Sequence, residues 1–317
     1  MVSRIAGRAV SLGIEGAIRG LSAGSHLHPA AARWKRGVRV DRDLVYGEGE
    51  ARTLDVYRPK GSSGTLPAFL YLHGGGFSIL SKDTHWMFGY GFARAGYVVF
   101  NANYRLAPRH RFPAALEDAT EALLWVREHA AEYGADPTRL VVGGESAGAN
   151  LSMSLTLASC LERPESFARR VFESGIRPRA VLPACGLLEV GNADRYLDRK
   201  ELSPFVRARI AAVCRSYLPD PGNDPDAHAM ADPLRVLEQR PKLAHPLPPI
   251  FAACGTADPV VDDTKRLEKV LRELGGSHAV RFYEGGGHAF HAMFMTEKAK
   301  ECWRHHLEFL EANVGRT

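Results

Sequence analysis

Apolar and polar positions change rhythm along the chain, and those changes predict a layered α/β fold. Val38–Tyr46 and Arg52–Arg58 alternate apolar with polar residues and are closed by Gly47 and Pro59, as two half-buried strands would be. Ala68–Leu72 is short and wholly apolar, the pattern of a strand covered on both faces. Tyr97–Phe100, Leu140–Val142, Ala180–Leu182, Ile250–Ala253 and Val280–Tyr283 continue the series. Helical periodicity fills the gaps, over Thr84–Arg94, Ala114–Tyr133, Ala147–Glu162, Asp263–Leu274 and Thr296–Leu310. Strands alternating with helices imply a mostly parallel eight-stranded sheet with helices on both faces.

Two stretches break this rhythm. Residues 1–37 have no strand signal; Ile5, Val10, Leu12, Ile14 and Ile18 are loosely spaced for one or two short helices, before a segment carrying His26, His28 and Pro29. Residues 187–245 fall between two core strands and hold a helical pattern over Ser203–Leu218, then a Pro-, Asp- and Gly-rich loop from Pro219 to Pro233. The expected organisation is a core of residues 38–186 and 246–317, preceded by residues 1–37, with the insertion 187–245 as a lid or cap over the C-terminal edge of the sheet.

The chemistry-bearing residues cluster at strand ends. Gly144-Glu145-Ser146-Ala147-Gly148 stands between the strand at Leu140–Val142 and the helix from Ala147. A serine at so sharp a turn needs strained backbone, and side chains at the two glycine positions would clash. His73-Gly74-Gly75-Gly76-Phe77 follows Ala68–Leu72. Its bare N–H groups can point at a ligand oxygen, and Gly75, Gly76 and Ala147 are the candidate donors of an oxyanion hole. A phosphate loop would need the Lys and Ser/Thr of a Walker sequence, which are missing here.

A nucleophilic serine needs a base, and the base an orienting carboxylate. Asp258 lies just past Ile250–Ala253, and His288, in Gly285-Gly286-Gly287-His288, just past Val280–Tyr283. Both belong to the sheet edge that bears Ser146, where open α/β sheets bind ligands. Asp262 and Asp263 are alternatives for the acid, Asp263 reading better as a helix N-cap, and His291 is the rival base. His305 and His306, on the last helix, read as surface or packing residues. Phe77 and the His85–Phe88 cluster, Trp86 included, are candidates either for a substrate pocket or for core packing.

Composition narrows the picture. The net charge is +5, but 36 acidic residues are interspersed among 41 basic ones. The densest basic stretch, Arg33–Arg39, is diluted by apolar residues, so no nucleic-acid partner is expected. Five scattered cysteines form no CxxC pair, which favours free thiols in a reducing compartment. Arg4, Arg8, Glu15 and Arg19 interrupt every apolar run near the start, and no run is long enough to span a bilayer. A cytoplasmic protein without stable membrane insertion is expected.

These motifs together resemble the hormone-sensitive-lipase-like family of α/β hydrolases, in which HGGG precedes GxSxG. The resemblance runs from about Leu66 to Phe290 and takes in Asn103–Pro108 and Phe112–Ala115 with Asp118. It implies the α/β-hydrolase fold, a triad of Ser146, Asp258 and His288, oxyanion donors at Gly75, Gly76 and Ala147, a structural role for His73, and a helical cap built from residues 1–37 and 187–245. Glu145 stands where the family often has Asp, and Ala149 where a second Gly is frequent. The implied activity is hydrolysis of small carboxylic esters with no metal or organic cofactor. An amidase, carbamate hydrolase or lactonase would use the same groups, and a small-molecule receptor would use the same fold. A homodimer paired through the last strand is a further expectation.

Overall fold

The computed structural model describes residues 13, 15–18, 20, 22–24, 29–62, 64–220 and 226–315. Eight strands form one sheet: β1 (Val38–Val45), β2 (Thr53–Pro59), β3 (Leu66–Leu72), β4 (Val98–Ala102), β5 (Ala135–Glu145), β6 (Ala180–Ala184), β7 (Ile250–Gly255) and β8 (His278–Tyr283). Their order is β1-β2-β4-β3-β5-β6-β7-β8; the β1–β2 and β2–β4 pairs are antiparallel and every other pair is parallel. This is the α/β-hydrolase fold expected from the sequence.

Burial follows the apolar pattern. Strands β3, β4, β6 and β7 are buried throughout, whereas the outer strands β1 and β8 are part-exposed. Alternation divides each central strand between two cores. Ala68, Leu70 and Leu72 join one cluster, while Phe69 and Tyr71 point into the other. The first core is covered by α3 (Ala114–His129), α4 (Ala147–Cys160), α5 (Ser166–Glu173) and α8 (Val261–Leu274). The second is covered by α1 (Pro29–Lys35), α2 (Trp86–Arg94) and α9 (Glu297–Val314).

Expected helix boundaries hold with local corrections. The one expected from Thr84 begins as a 3-10 turn over Lys82–His85 before α2, because Ser81 caps that turn from its side chain. The one expected to reach Tyr133 passes at Ala130 into a 3-10 turn closed by left-handed Gly134. Helices α1, α5 and the short α7 (Pro233–Glu238) add to those read from periodicity. Ile5, Val10, Leu12, Ile14, His26 and His28 lie outside the described residues, as do residues 221–225 of the loop after Pro219. Residues 15–18 and 22–24 are helical. No described helix is long and apolar enough to cross a membrane, and all five cysteines are free and buried.

Between β6 and β7 the chain carries α6 (Pro204–Tyr217) and α7. Ser203 caps α6 by accepting from the Val206 N–H, with Pro204 at its first position. Asn150 on α4 donates to the carbonyls of Leu187 (2.8 Å) and Ala231 (2.9 Å), and Ser154 donates to that of Met230 (2.8 Å). From α8, buried Asp263 accepts the N–H groups of Leu188 and Glu189 and pairs with Arg195 at 2.6 Å. Asp263 is therefore not the N-cap expected from sequence. Val260 occupies that position, and the carboxylate ties the segment after β6 to α8.

Candidate active site

Strand β5 ends at Glu145 and α4 starts at Ala147, so Ser146 takes the whole reversal, at φ 56° and ψ −113°. That left-handed backbone is costly for a residue with a Cβ. It is held by the Ser146 N–H donating to Ala184 O at 2.9 Å and by Ser146 O accepting from Asn150 and Leu187. The flanking glycines are demanded by contact. A Cβ on Gly148 would lie 1.9 Å from Leu72 O, and one on Gly144 would lie 2.2 Å from the same oxygen.

Three side chains from three strand ends meet at this turn. His288 Nε2 is 3.0 Å from Ser146 Oγ, and His288 Nδ1 is 2.9 and 3.0 Å from the two Asp258 oxygens. The ring thus donates from Nδ1 to the carboxylate and accepts the serine hydroxyl at Nε2. Asp258 is buried and also accepts from the Val260 N–H at 2.9 Å, while the His288 side chain is 38% exposed. Desolvation works against protonation of His288, but the Asp258 charge and hydrogen bond outweigh it and hold its pKa above the ordinary imidazole value. The rivals stand elsewhere. Asp262 pairs with Arg199 at 2.7 Å, and His291 is packed against Phe88, with a pKa lowered by burial to about 4.

The glycine loop after β3 lies beside the same turn. Gly75 has φ +118°, and a Cβ there would meet Ile79 O at 2.0 Å. Among the described residues no group accepts from the N–H groups of Gly75, Gly76 or Ala147, so three donors are available near Ser146. His73 donates from Nδ1 to Gly74 O at 2.7 Å and stacks on Tyr104, whose hydroxyl donates to His73 O at 2.7 Å. Burial holds His73 neutral, with a pKa of about 3. The Asn103–Pro108 block supports this loop: the Ala107 N–H donates to Phe77 O at 2.8 Å. Asp118, clamped by Arg52 and Arg105, holds the Arg105 N–H at 2.8 Å.

A profile of the α/β-hydrolase fold family matches residues 69–292. The chain belongs to the hormone-sensitive-lipase-like α/β hydrolases.

This α/β hydrolase is 34% identical over 224 residues to Carboxylesterase NlhH of Mycobacterium tuberculosis (strain ATCC 25618 / H37Rv), covering 70% of this chain and 66% of that protein. It is 34% identical over 245 residues to Carboxylic ester hydrolase LipN of the same strain, covering 75% of this chain and 60% of the relative. The matched stretch is thus just under two thirds of the length of these curated relatives. Among solved structures, esterase LipW from Mycobacterium marinum superposes with a TM-score of 0.73 at 25% identity, covering 96% of this chain and 90% of that one.

Of the two readings open for Phe77 and Trp86, substrate pocket or core packing, their burial supports packing. Trp86 is 1% exposed in the core under α1 and α2, with Lys35 Nζ 5.5 Å from its ring centre. Phe77 is fully buried and stacks face to face on Tyr217 of α6 at 3.7 Å. Both are large apolar side chains next to a functional loop, and such side chains are buried for their own transfer energy unless the loop opens toward them.

Sequence reading passed over the neighbours of the reacting groups. Val213 of α6 stands where a Gly76 side chain would, 3.0 Å from its ideal Cβ. The Cys185 thiol lies with the Asp258 and His288 donors inside one 4.8 Å cluster. Two of those donors are already bonded to each other, and burial pushes the thiol up. His85, grouped with the pocket candidates, instead reaches Glu145: its Nε2 is 2.6 Å from Glu145 Oε1. No spacing rule links positions 85 and 145, so only the packing of the loop after β3 against the end of β5 exposes the pair.

Proposed function

We propose that this α/β hydrolase is a serine carboxylesterase that splits short- to medium-chain carboxylic esters through an acyl-enzyme on Ser146. The observation that supports the reading best is the continuous hydrogen-bonded run from Asp258 through His288 to Ser146 Oγ, beside backbone donors with no other partner. Ester bonds are favoured because the relatives NlhH and LipN are named as carboxylic ester hydrolases.

In this mechanism His288 Nε2 takes the Ser146 proton as Oγ attacks the ester carbonyl carbon. Asp258 fixes the ring with Nε2 toward the serine and stabilises the imidazolium that forms. The carbonyl oxygen becomes an oxyanion facing Gly75, Gly76 and Ala147 N–H, and each such donor contributes about 3 kcal/mol in the transition state. Collapse expels the alcohol, which His288 protonates. Water, deprotonated by the same ring, then releases the acid and restores the Ser146 hydroxyl.

Residues 1–37 and 187–245 are proposed to form the cap. Support comes from α6 lying on the oxyanion loop through Val213 and Tyr217, which bounds the room for an acyl chain. Strand β8 ends the sheet, so pairing of two copies along it is the proposed route to a homodimer, checked by light scattering of the protein before and after a proline is placed in β8. Free, buried thiols accord with a cytoplasmic location.

Fluorophosphonate labelling together with Ser146→Ala tests the reading. The protein is expected to be labelled and to hydrolyse p-nitrophenyl esters, and the variant to lose both properties while retaining its circular dichroism. Ester turnover by the alanine variant rejects the assignment. Faster cleavage of matched amides, carbamates or lactones replaces the ester reading with one of those.

A further inference from the structure

The residue before the nucleophile carries a buried charge whose placement is unlike that of the surface ion pairs. Glu145 is 3% exposed at the end of β5. One of its oxygens accepts the Gly74 N–H at 2.5 Å and faces His85 Nε2 at 2.6 Å; the other accepts the Tyr71 hydroxyl. A carboxylate with donors on both oxygens is ionised.

Hydrogen-bond accounting fixes the state of His85 as well. Its Nδ1 lies 3.0 Å from Ser81 O, a carbonyl that can only accept, and 2.9 Å from Thr84 Oγ1. The Thr84 hydroxyl proton is already committed to Ser81 O at 2.7 Å, so toward His85 that oxygen also accepts. Both ring nitrogens therefore donate, and a ring that donates twice is an imidazolium. A buried imidazolium–carboxylate pair thus sits directly beneath the glycine loop.

Position decides what the pair does. Gly74 is the residue before the two proposed oxyanion donors, and a Cβ at Gly74 would lie 2.4 Å from Glu145 Oε1, so backbone and carboxylate are in direct contact. His85 is itself anchored through Ser81 O, at the cap of the turn that leads into α2. We propose that His85 is a positioning residue which, through Glu145, holds the Gly74 amide and so aims the Gly75 and Gly76 N–H groups at the developing oxyanion. This rests on the esterase reading above and adds to it a residue that touches neither substrate nor triad.

The surroundings keep this charge pair distinct. His73, whose ring is 5.5 Å from that of His85, and His291, from the loop after β8, are both held neutral by burial. Tyr71 is pushed up by burial and donates as a neutral phenol. Exposed Asp83, the triad's Asp258 and His288, the buried Cys185 thiol and the buried Tyr104 phenol also act on this cluster, and burial pushes both of these last two up. Burial disfavours the charged form of His85, but Glu145 more than offsets it, so its pKa stands above the ordinary 6.5; Glu145 falls to about 2. The pair is intact below the His85 pKa and loses its proton as the pH rises through it, while Glu145 stays ionised across that range.

The experiment compares His85→Ala, His85→Gln, Glu145→Gln and the double variant His85→Ala/Glu145→Gln, with kcat referred to sites counted by fluorophosphonate labelling. Each single variant is expected to lose about ten- to a hundredfold in kcat, less than outright loss of an oxyanion donor, with KM changed by less than about threefold. The double variant is expected to lose no more than the worse single one, since both act through the same amide. If His85→Ala does not fold, His85→Gln, which keeps a neutral donor, carries the test: its kcat is intermediate and lacks the wild-type alkaline fall above 6.5. Wild-type kcat in the His85 variants, additive losses in the double variant, or an unchanged pH profile in His85→Gln overturns the positioning role. Turnover surviving in Ser146→Ala overturns the esterase reading instead, which separates the two failures.

Discussion

Among individual residues, the balance on His288 sets a measurable limit. In the proposed mechanism attack requires the neutral ring, and the Asp258 charge raises the pH at which the proton leaves. The acid limb of kcat/KM is therefore expected above the ordinary imidazole value of 6.5, with activity lost as pH falls through it. Asp258→Asn removes both the raising charge and the correct tautomer, so the limb should move to lower pH while kcat drops by roughly 10³- to 10⁴-fold. A limb that stays in place in Asp258→Asn excludes this carboxylate as the cause. At this scale the sequence was legible where chemistry and local geometry coincide. Ser146 and Asp258 follow apolar strand ends and His288 follows the part-exposed β8, and the glycines around them permit the turns. For Phe77 and Trp86 the choice between pocket and core packing stayed open in the sequence, because their burial depends on α6 and α1, which pack on them from distant positions.

At the level of elements, the turn from β5 into α4 is the least forgiving feature. Strand β3 passes so close that Leu72 O occupies the place of a Gly148 side chain. A methyl cannot displace backbone in the middle of a sheet, so Gly148→Ala is expected to destabilise the protein by about 3 kcal/mol or to displace the turn with loss of labelling. Thermal melting and fluorophosphonate reactivity report the two outcomes; an alanine variant with wild-type values of both contradicts the contact. The strand series was read because central strands buried on both faces are continuous apolar runs. The largest boundary difference is at β5, which starts at Ala135 rather than Leu140 because Asp136, Thr138 and Arg139 are polar and not fully buried. Helices α5 and α7 went unread, being 8 and 6 residues long, too short for periodicity to stand out.

For the whole molecule, the segment between β6 and β7 is fastened by buried polar groups instead of by a covalent link. Asp263 has no exposed side-chain surface and depends on Arg195 and two backbone N–H groups. Arg195→Ala should leave that buried carboxylate without its nearest cation, costing about 3 kcal/mol in urea unfolding. A change below about 0.5 kcal/mol would place the pair among the ordinary surface contacts. Because α6 also rests on the glycine loop after β3, the proposed esterase is expected to have its acyl length limited by this same segment. Rates on p-nitrophenyl esters should peak at short to medium chains and fall toward palmitate; a maximum at palmitate argues against a bounded site.

The sequence by itself determined the layered α/β architecture, the order of the strands along the chain and the identity of the three groups at the strand ends, because apolar period, glycine turns and reactive side chains are local properties. Tertiary structure alone decided which aromatic residues are walls of a core, that Asp263 holds the inserted segment, and that His85 meets Glu145 in the interior. Those depend on burial and on hydrogen bonds between residues sixty or more positions apart, which no local pattern encodes.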